Sequence, residues 1–244
     1  MNKYDFLIDS AKEHQKLDEY RRGNTGCVEE DGIFRGCSVA CTVHDYERYI
    51  GSEDVKDFDF YDHDYLSFIL EVPRWVCHLQ DSFFENISRK KLNTFNVDFI
   101  TLIKENHHKN LDLVEPKFLL HVLQDMKNNV SEEFTQLLSV ISKAEKAIQY
   151  WIDKGVLDKE KMNTAEEAFE LPLGTRATRA KLAAACGAGW ALKRALKRAA
   201  ESAARASIME TSWAASWACG AEISEKSEKY DQYCDKFFEL VREA

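Results

Sequence analysis

The sequence lacks the short motifs that define the common classes of nucleotide-binding proteins and hydrolases. It contains no G-x-x-x-x-G-K-[ST] phosphate loop, no G-x-G-x-x-G turn, no H-E-x-x-H pair and no G-x-S-x-G elbow. These absences exclude the enzymes that depend on such motifs. We assign no catalytic residue, and the sequence favours a non-enzymatic protein.

Long apolar runs are also missing, and proline is scarce. No stretch reaches 18 apolar residues, and the first residues show no basic start followed by an apolar run, so we expect neither a membrane span nor a signal peptide. With three prolines and ten glycines, long loops are not expected. Seven cysteines, an odd number at irregular spacing, do not resemble a secreted disulfide framework. We therefore expect a cytoplasmic protein.

A large net positive charge is confined to one stretch. The chain carries a net charge of −9 with a pI of about 5.4, which argues against a general nucleic-acid binder. Between Arg176 and Arg205, the sequence contains eight basic residues and one acidic residue. That stretch has a net charge of +7, which leaves −16 on the rest of the chain.

The centre of this stretch is a basic strip. On a helix, Lys193, Arg194, Lys197 and Arg198 occupy adjoining positions of one face. The strip suits an acidic protein partner or a phosphate backbone, and we predict these four as partner-binding residues. The more common arrangements are a solvated face or internal pairing with the acidic remainder. Contact with nucleic acid is expected through this strip alone.

The apolar spacing predicts an all-α fold, a multi-helix bundle with Ala-rich, closely packed C-terminal helices. No segment shows the alternation of a strand flanked by turn residues. The predicted helices are Lys3–Arg22, Cys37–Tyr49, Tyr65–Leu70, Arg74–Ile87, Asn93–Asn106, one opened by Pro116, Ser131–Lys154, Lys159–Glu170 and Ser224–Arg242.

The composition divides the chain into an N-terminal helical region, residues 1–170, and an Ala-rich region, residues 171–244. Alanine is the best helix former and has little bulk, so helices can approach Thr175–Gly220 more closely than usual. We expect the two regions to pack as one unit. Residues 175–242 form either one long helix or a hairpin broken near Gly187–Gly189 and Gly220.

The sharpest local pattern is a Cys/His motif. Cys37, Cys41 and His44 share one helix face, and Cys27 lies ten residues earlier in a glycine-bearing loop. Three thiolates and an imidazole could bind zinc tetrahedrally, so these four residues are the predicted metal ligands. The same face also suits an ordinary buried helix surface, because free cysteine is among the most buried residue types. In that case the protein needs no cofactor.

Three segments resemble a group of uncharacterised bacterial and phage proteins. Gly36–His44 is similar to that group's G-C-x-V-x-C-T-x-H signature, with Ala40 where the group has glycine. Val72–Trp75 and Leu79–Glu85 resemble the segments that follow it, and the Ala-rich half with its last helix also fits the pattern. Residues 52–64 resemble an insertion. No activity attaches to the group.

The resemblance implies a phage or prophage protein in a bacterial host cell. Small acidic proteins of this kind include inhibitors of host defence, anti-CRISPR proteins among them. The leading hypothesis is therefore a non-enzymatic protein that binds and inhibits a host protein complex such as a CRISPR effector. The alternatives are a zinc-stabilised helical protein, with a structural or catalytic metal, and a protein that contacts nucleic acid through residues 193–198.

Overall fold

The computed structural model describes residues 1–17, 19–23, 27–28, 33–51, 62–129, 135–156, 158 and 223–244. These residues confirm the predicted all-α class. The described helices are α1 Lys3–Leu17, α2 Ser38–Ile50, α3 His63–Leu70, α4 Arg74–Asn86, α5 Arg89–Asn106, α6 Val114–Asn129, α7 Thr135–Lys154 and α8 Ile223–Glu243. The chain divides into two compact units, Met1–Lys109 and Asn110–Ala244. No described helix has the length and hydropathy needed to cross a membrane.

The first unit is built on α1, which packs against α2 and α5. Tyr4, Leu7 and Ala11 bury one face of this helix, as the sequence predicts. The prediction that the helix continues to Arg22 was wrong. The chain leaves the helix after Leu17, and Tyr20 instead forms a parallel bridge to Gly36.

A short β-pair follows where a loop was predicted. Strand β1, Cys27–Val28, pairs antiparallel with β2, Phe34–Arg35. Two residues per strand are too few for a period-two pattern to be visible in the sequence. The pair leads directly into α2, whose first residue follows Cys37.

Local signals set the ends of α2 to α5. Glycine stops α2, Asp62 caps α3 through its side chain, and Pro73 precedes α4. Helix α5 begins at Arg89, four residues before the predicted start, because the Ser88 hydroxyl accepts the backbone N–H of Lys91. Cross-packing of α1 on α5, α2 on α4 and α3 on α4 then closes the core of the unit.

The stop of α2 gives a testable prediction. Gly51 has φ +73°, and a Cβ built on it would meet no atom of the described residues within 4 Å. Replacing Gly51 by Ala is therefore expected to cost about 1 kcal/mol through backbone conformation alone. Urea denaturation measures this loss. Gly51→Asn should recover most of it, since Asn tolerates the left-handed region, and equal losses for both variants would contradict this account.

The second unit packs α6 against both α7 and α8. Aromatic rings dominate this core: the Phe118 ring centroid lies 6.4 Å from that of Tyr233 and 6.0 Å from that of Phe237. Asp125 of α6 accepts a hydrogen bond of 2.6 Å from the Tyr233 hydroxyl and forms an ion pair of 2.5 Å with Lys229. These contacts hold α8 on α6.

Several predictions lie outside the described residues. They concern the Ala-rich segment Thr175–Gly220, the short helix Lys159–Glu170, capping by Ser131, and the boundary at residue 170. They remain predictions.

Candidate functional site

The Cys/His motif lies at the start of α2, in the interior of the first unit. Cys37 immediately precedes the helix, and Cys41 follows one turn later with its Sγ 3.5 Å from the Gly36 carbonyl oxygen. Both thiols are buried. Burial raises the pKa of Cys37 to about 12 and that of Cys41 well above its usual value. Without a metal, both therefore remain protonated and unreactive at neutral pH.

His44, the third member of the motif, has a different neighbour from the two cysteines. Its ring stacks on Phe34 of β2, with centroids 4.0 Å apart and planes 1° from parallel. Its Nδ1 lies 3.8 Å from Asp45 Oδ1. The β-pair thus orients this imidazole.

The metal prediction for Cys27, Cys37, Cys41 and His44 stays open, because the side chain of Cys27 is outside the described part. Among the side chains that are described, no group of three or more His, Cys, Asp or Glu is arranged to hold a metal ion. Elemental analysis of protein purified without added metal decides the question. About one equivalent of zinc supports the prediction, and less than about 0.2 equivalent rejects it, since structural sites bind tightly.

Beside the motif lies a group that we call the histidine centre: His14, Glu19 and Asp45. His14 Nδ1 is 2.5 Å from Glu19 Oε2, and its Nε2 is 2.9 Å and 3.1 Å from the two oxygens of Asp45. The three residues are 4%, 7% and 2% exposed. One imidazole therefore joins the end of α1, the segment after it and the middle of α2.

The electrostatics favour the charged forms of this centre. Burial lowers the pKa of His14, but hydrogen bonds and charge attraction from Asp45 and Glu19 outweigh it, and the net pKa is raised. Burial likewise raises the pKa of Asp45, but its hydrogen bonds to His14 and its attraction to His14 and His44 outweigh this, and the net pKa is lowered. His14 is thus an imidazolium that donates from both nitrogens, with none left to act as a base.

A pair of stacked histidines lies between α3 and α4. The rings of His63 and His78 stack with centroids 4.1 Å apart, and His63 Nε2 is 3.7 Å from Asp81 Oδ2. Burial, followed by the charge of His63, lowers the pKa of His78 to about 4. His78 is therefore neutral at neutral pH and acts as a packing residue.

The chemistry at the surface is different. Five rings from three helices form a continuous row that we call the aromatic surface. In spatial order they are Phe6, Tyr49, Tyr46, Tyr65 and Phe68. Successive centroids along the row are 5.4, 6.2, 6.1 and 6.1 Å apart. Phe68 is 67% exposed and Tyr49 is 38% exposed, and the neighbouring Ile50 is 51% exposed.

No protein-family model, curated protein or solved structure matches this chain. The function must therefore be argued from the described geometry. The basic strip Lys193, Arg194, Lys197 and Arg198 lies outside the described residues and remains a prediction.

Sequence reasoning missed the histidine centre, although a signal for it exists. Asp45 follows Ser38 and Cys41 on the stripe of α2 that faces the core, and His14 follows Leu7 and Ala11 on the corresponding stripe of α1. A charged residue at a core position of each of two helices indicates a buried ion pair, because an unpaired buried charge is too costly.

Proposed function

We propose that this protein acts by binding another protein through its aromatic surface, without catalysing a reaction. The observation that supports this is the unbroken row of rings across α1, α2 and α3, which leaves two-thirds of Phe68 exposed. Aromatic side chains supply large contact areas at low entropic cost and are enriched in protein interfaces. A contiguous exposed apolar patch is costly in a soluble protein unless a partner covers it.

The buried groups support the same proposal. A general base needs a ring nitrogen within reach of its substrate, but both nitrogens of His14 are occupied by carboxylates. A nucleophilic cysteine needs an accessible thiolate, but Cys37 and Cys41 are buried with raised pKa values. These residues stabilise the unit that presents the aromatic surface.

The resemblance to phage and bacterial proteins suggests the biological setting. The partner is proposed to be a bacterial protein complex in the cytoplasm, and the protein is proposed to inhibit it. A defence complex such as a CRISPR effector fits this role, which makes the protein a candidate anti-CRISPR or other anti-defence factor.

Affinity capture from bacterial lysate, quantified by mass spectrometry, tests the proposal. We expect one host complex to be enriched by the wild-type chain and to be lost, by about tenfold or more, with the double variant Phe68→Ser/Tyr49→Ser. Phe68 is 67% exposed and Tyr49 is 38% exposed, so we expect the variant to remain folded with a modest loss of stability, which its melting temperature checks.

The matched control is Val156→Ser, which removes an apolar side chain that is 61% exposed in the other unit. It should capture the complex as the wild type does. The proposal is rejected if the double variant retains the complex, or if both variants lose it equally.

A further inference from the structure

We propose that the partner presents lysine or arginine side chains to the aromatic surface, an inference that rests on the proposed function. The aromatic surface has carboxylates beneath it and at its edge, and the nearby cations are already paired. This combination attracts a cationic protein segment and disfavours an acidic one.

The negative charge beneath the rings comes from Glu47 of α2. Its side chain accepts a hydrogen bond from the Tyr65 hydroxyl, and the residue is 2% exposed. Among the described residues, no lysine or arginine lies within ion-pair distance of it. A buried carboxylate with a phenol as its partner keeps a negative potential beside Tyr65, one ring of the row.

A second carboxylate lies at the edge. Asp62 precedes α3, and its Oδ1 accepts the backbone N–H groups of Asp64 and Tyr65, which leaves its negative charge in place. The local charge is therefore negative on both helices that carry the most exposed rings.

Three cations on or next to these helices are paired. Lys3 pairs with Glu71 at 2.6 Å, Arg48 lies 3.4 Å from Asp45, and Arg74 pairs with Asp64. Each cation is matched by a carboxylate, so none offsets Glu47 or Asp62.

Two kinds of contact then select a cationic partner. The faces of aromatic rings attract lysine and arginine, and the partly exposed Asp62 carboxylate can form a charge-assisted hydrogen bond with them, whereas the buried Glu47 acts only through its potential. The apolar stems of these long side chains can also cover exposed rings such as Phe68. A phosphate backbone would meet the same carboxylates unfavourably, so nucleic acid is not the expected ligand of this surface.

Three synthetic amphipathic peptides test the inference with the full chain. They share one pattern of Leu and Ala, and carry Arg, Gln or Glu at every polar position. By fluorescence anisotropy at low salt, we expect the Arg peptide to bind about tenfold more tightly than the Gln peptide, and the Glu peptide not to bind.

Variants locate the binding and test its cause. Phe68→Ser/Tyr49→Ser should lower the affinity for the Arg peptide by about tenfold, and Val156→Ser should leave that affinity unchanged. Glu47→Gln keeps an acceptor for the Tyr65 hydroxyl. It should lower the affinity for the Arg peptide several-fold and leave the affinity for the Gln peptide unchanged.

Equal affinity for the three peptides would overturn the inference. So would binding of the Arg peptide that is insensitive to Phe68→Ser/Tyr49→Ser, because the acidic chain would then bind it elsewhere. If the double variant loses the captured host complex but the Arg peptide does not compete for it, the proposed function stands and the cationic partner is rejected. If host capture is insensitive to the double variant, the proposed function itself fails.

Discussion

Replacing Asp45 by Asn is expected to lower the free energy of unfolding of the first unit by about 3 kcal/mol near pH 6. Asn keeps the shape of the side chain but removes its charge. The His14 imidazolium, 4% exposed, then retains Glu19 as its carboxylate partner. Removing one partner of a buried, hydrogen-bonded charge is among the most destabilising of single substitutions.

The loss should depend on pH in a defined direction. The pKa of His14 is raised above 6.5, so its contribution to stability is complete below pH 6.5 and disappears as the pH rises through the raised value. The pKa of Asp45 is lowered below 3.8, so its contribution is present above pH 3.8 and disappears as the pH falls through the lowered value. Both contributions coincide between pH 3.8 and 6.5.

Urea denaturation at several pH values checks this expectation. The difference between wild type and Asp45→Asn should be largest between about pH 5 and 6 and should shrink under alkaline conditions. The matched control is Asp9→Asn on α1, whose side chain is 62% exposed and pairs with Lys12. It should change stability by less than about 0.5 kcal/mol. A loss for Asp45→Asn that is equal at pH 6 and pH 9 would show that the charge of His14 is not involved.

In the second unit, replacing Glu115 by Gln is expected to raise stability by about 3 kcal/mol at pH 8. Glu115 lies in the first turn of α6, where the helix dipole favours a carboxylate, yet it is 4% exposed. Burial raises its pKa from 4.5 to about 7, and its Oε1 finds no hydrogen-bond partner among the described residues. At pH 8 the wild type must keep a buried carboxylate that the Gln variant lacks.

The sign of the pH dependence follows from the raised pKa. The contribution of the protonated Glu115 side chain to stability is complete below pH 4.5 and is lost as the pH rises through about 7. Glu115→Gln should not show this loss, so the two proteins should have similar melting temperatures at pH 5 and diverge by pH 8. Glu105→Gln, at an exposed position of α5, is the control and should show no divergence. A destabilised Glu115→Gln at pH 8 would mean that the carboxylate makes a favourable contact.

The sequence predicts most described helices because their apolar residues recur at helical spacing. In α4, the apolar residues at this spacing are Trp75, Val76, Leu79, Phe83 and Phe84, and all are buried. The predicted helix end at Lys154 also matches, since Gly155 follows it with the positive φ that favours glycine. Sequence rules based on spacing and capping are sufficient where the residues of a single helix determine its bounds and its buried face.

The same rules fail where a feature is shared between elements. His14 and Asp45 are 31 residues apart, and no spacing rule shows that their side chains meet. The aromatic surface likewise draws Phe6, Tyr49 and Phe68 from three helices. Such sites depend on how helices pack, which the pattern of a single helix does not determine.

The placement of α1 also has a consequence for synthesis. Its Asp5 pairs with Lys104 of α5 across 99 residues of sequence, and α1 packs mainly on α5 and α2. During translation, the apolar face of α1 leaves the ribosome long before α5 exists to cover it. Native docking of this helix must therefore wait until almost the whole first unit has emerged, and chaperones that recognise exposed Leu7 would find it in that interval.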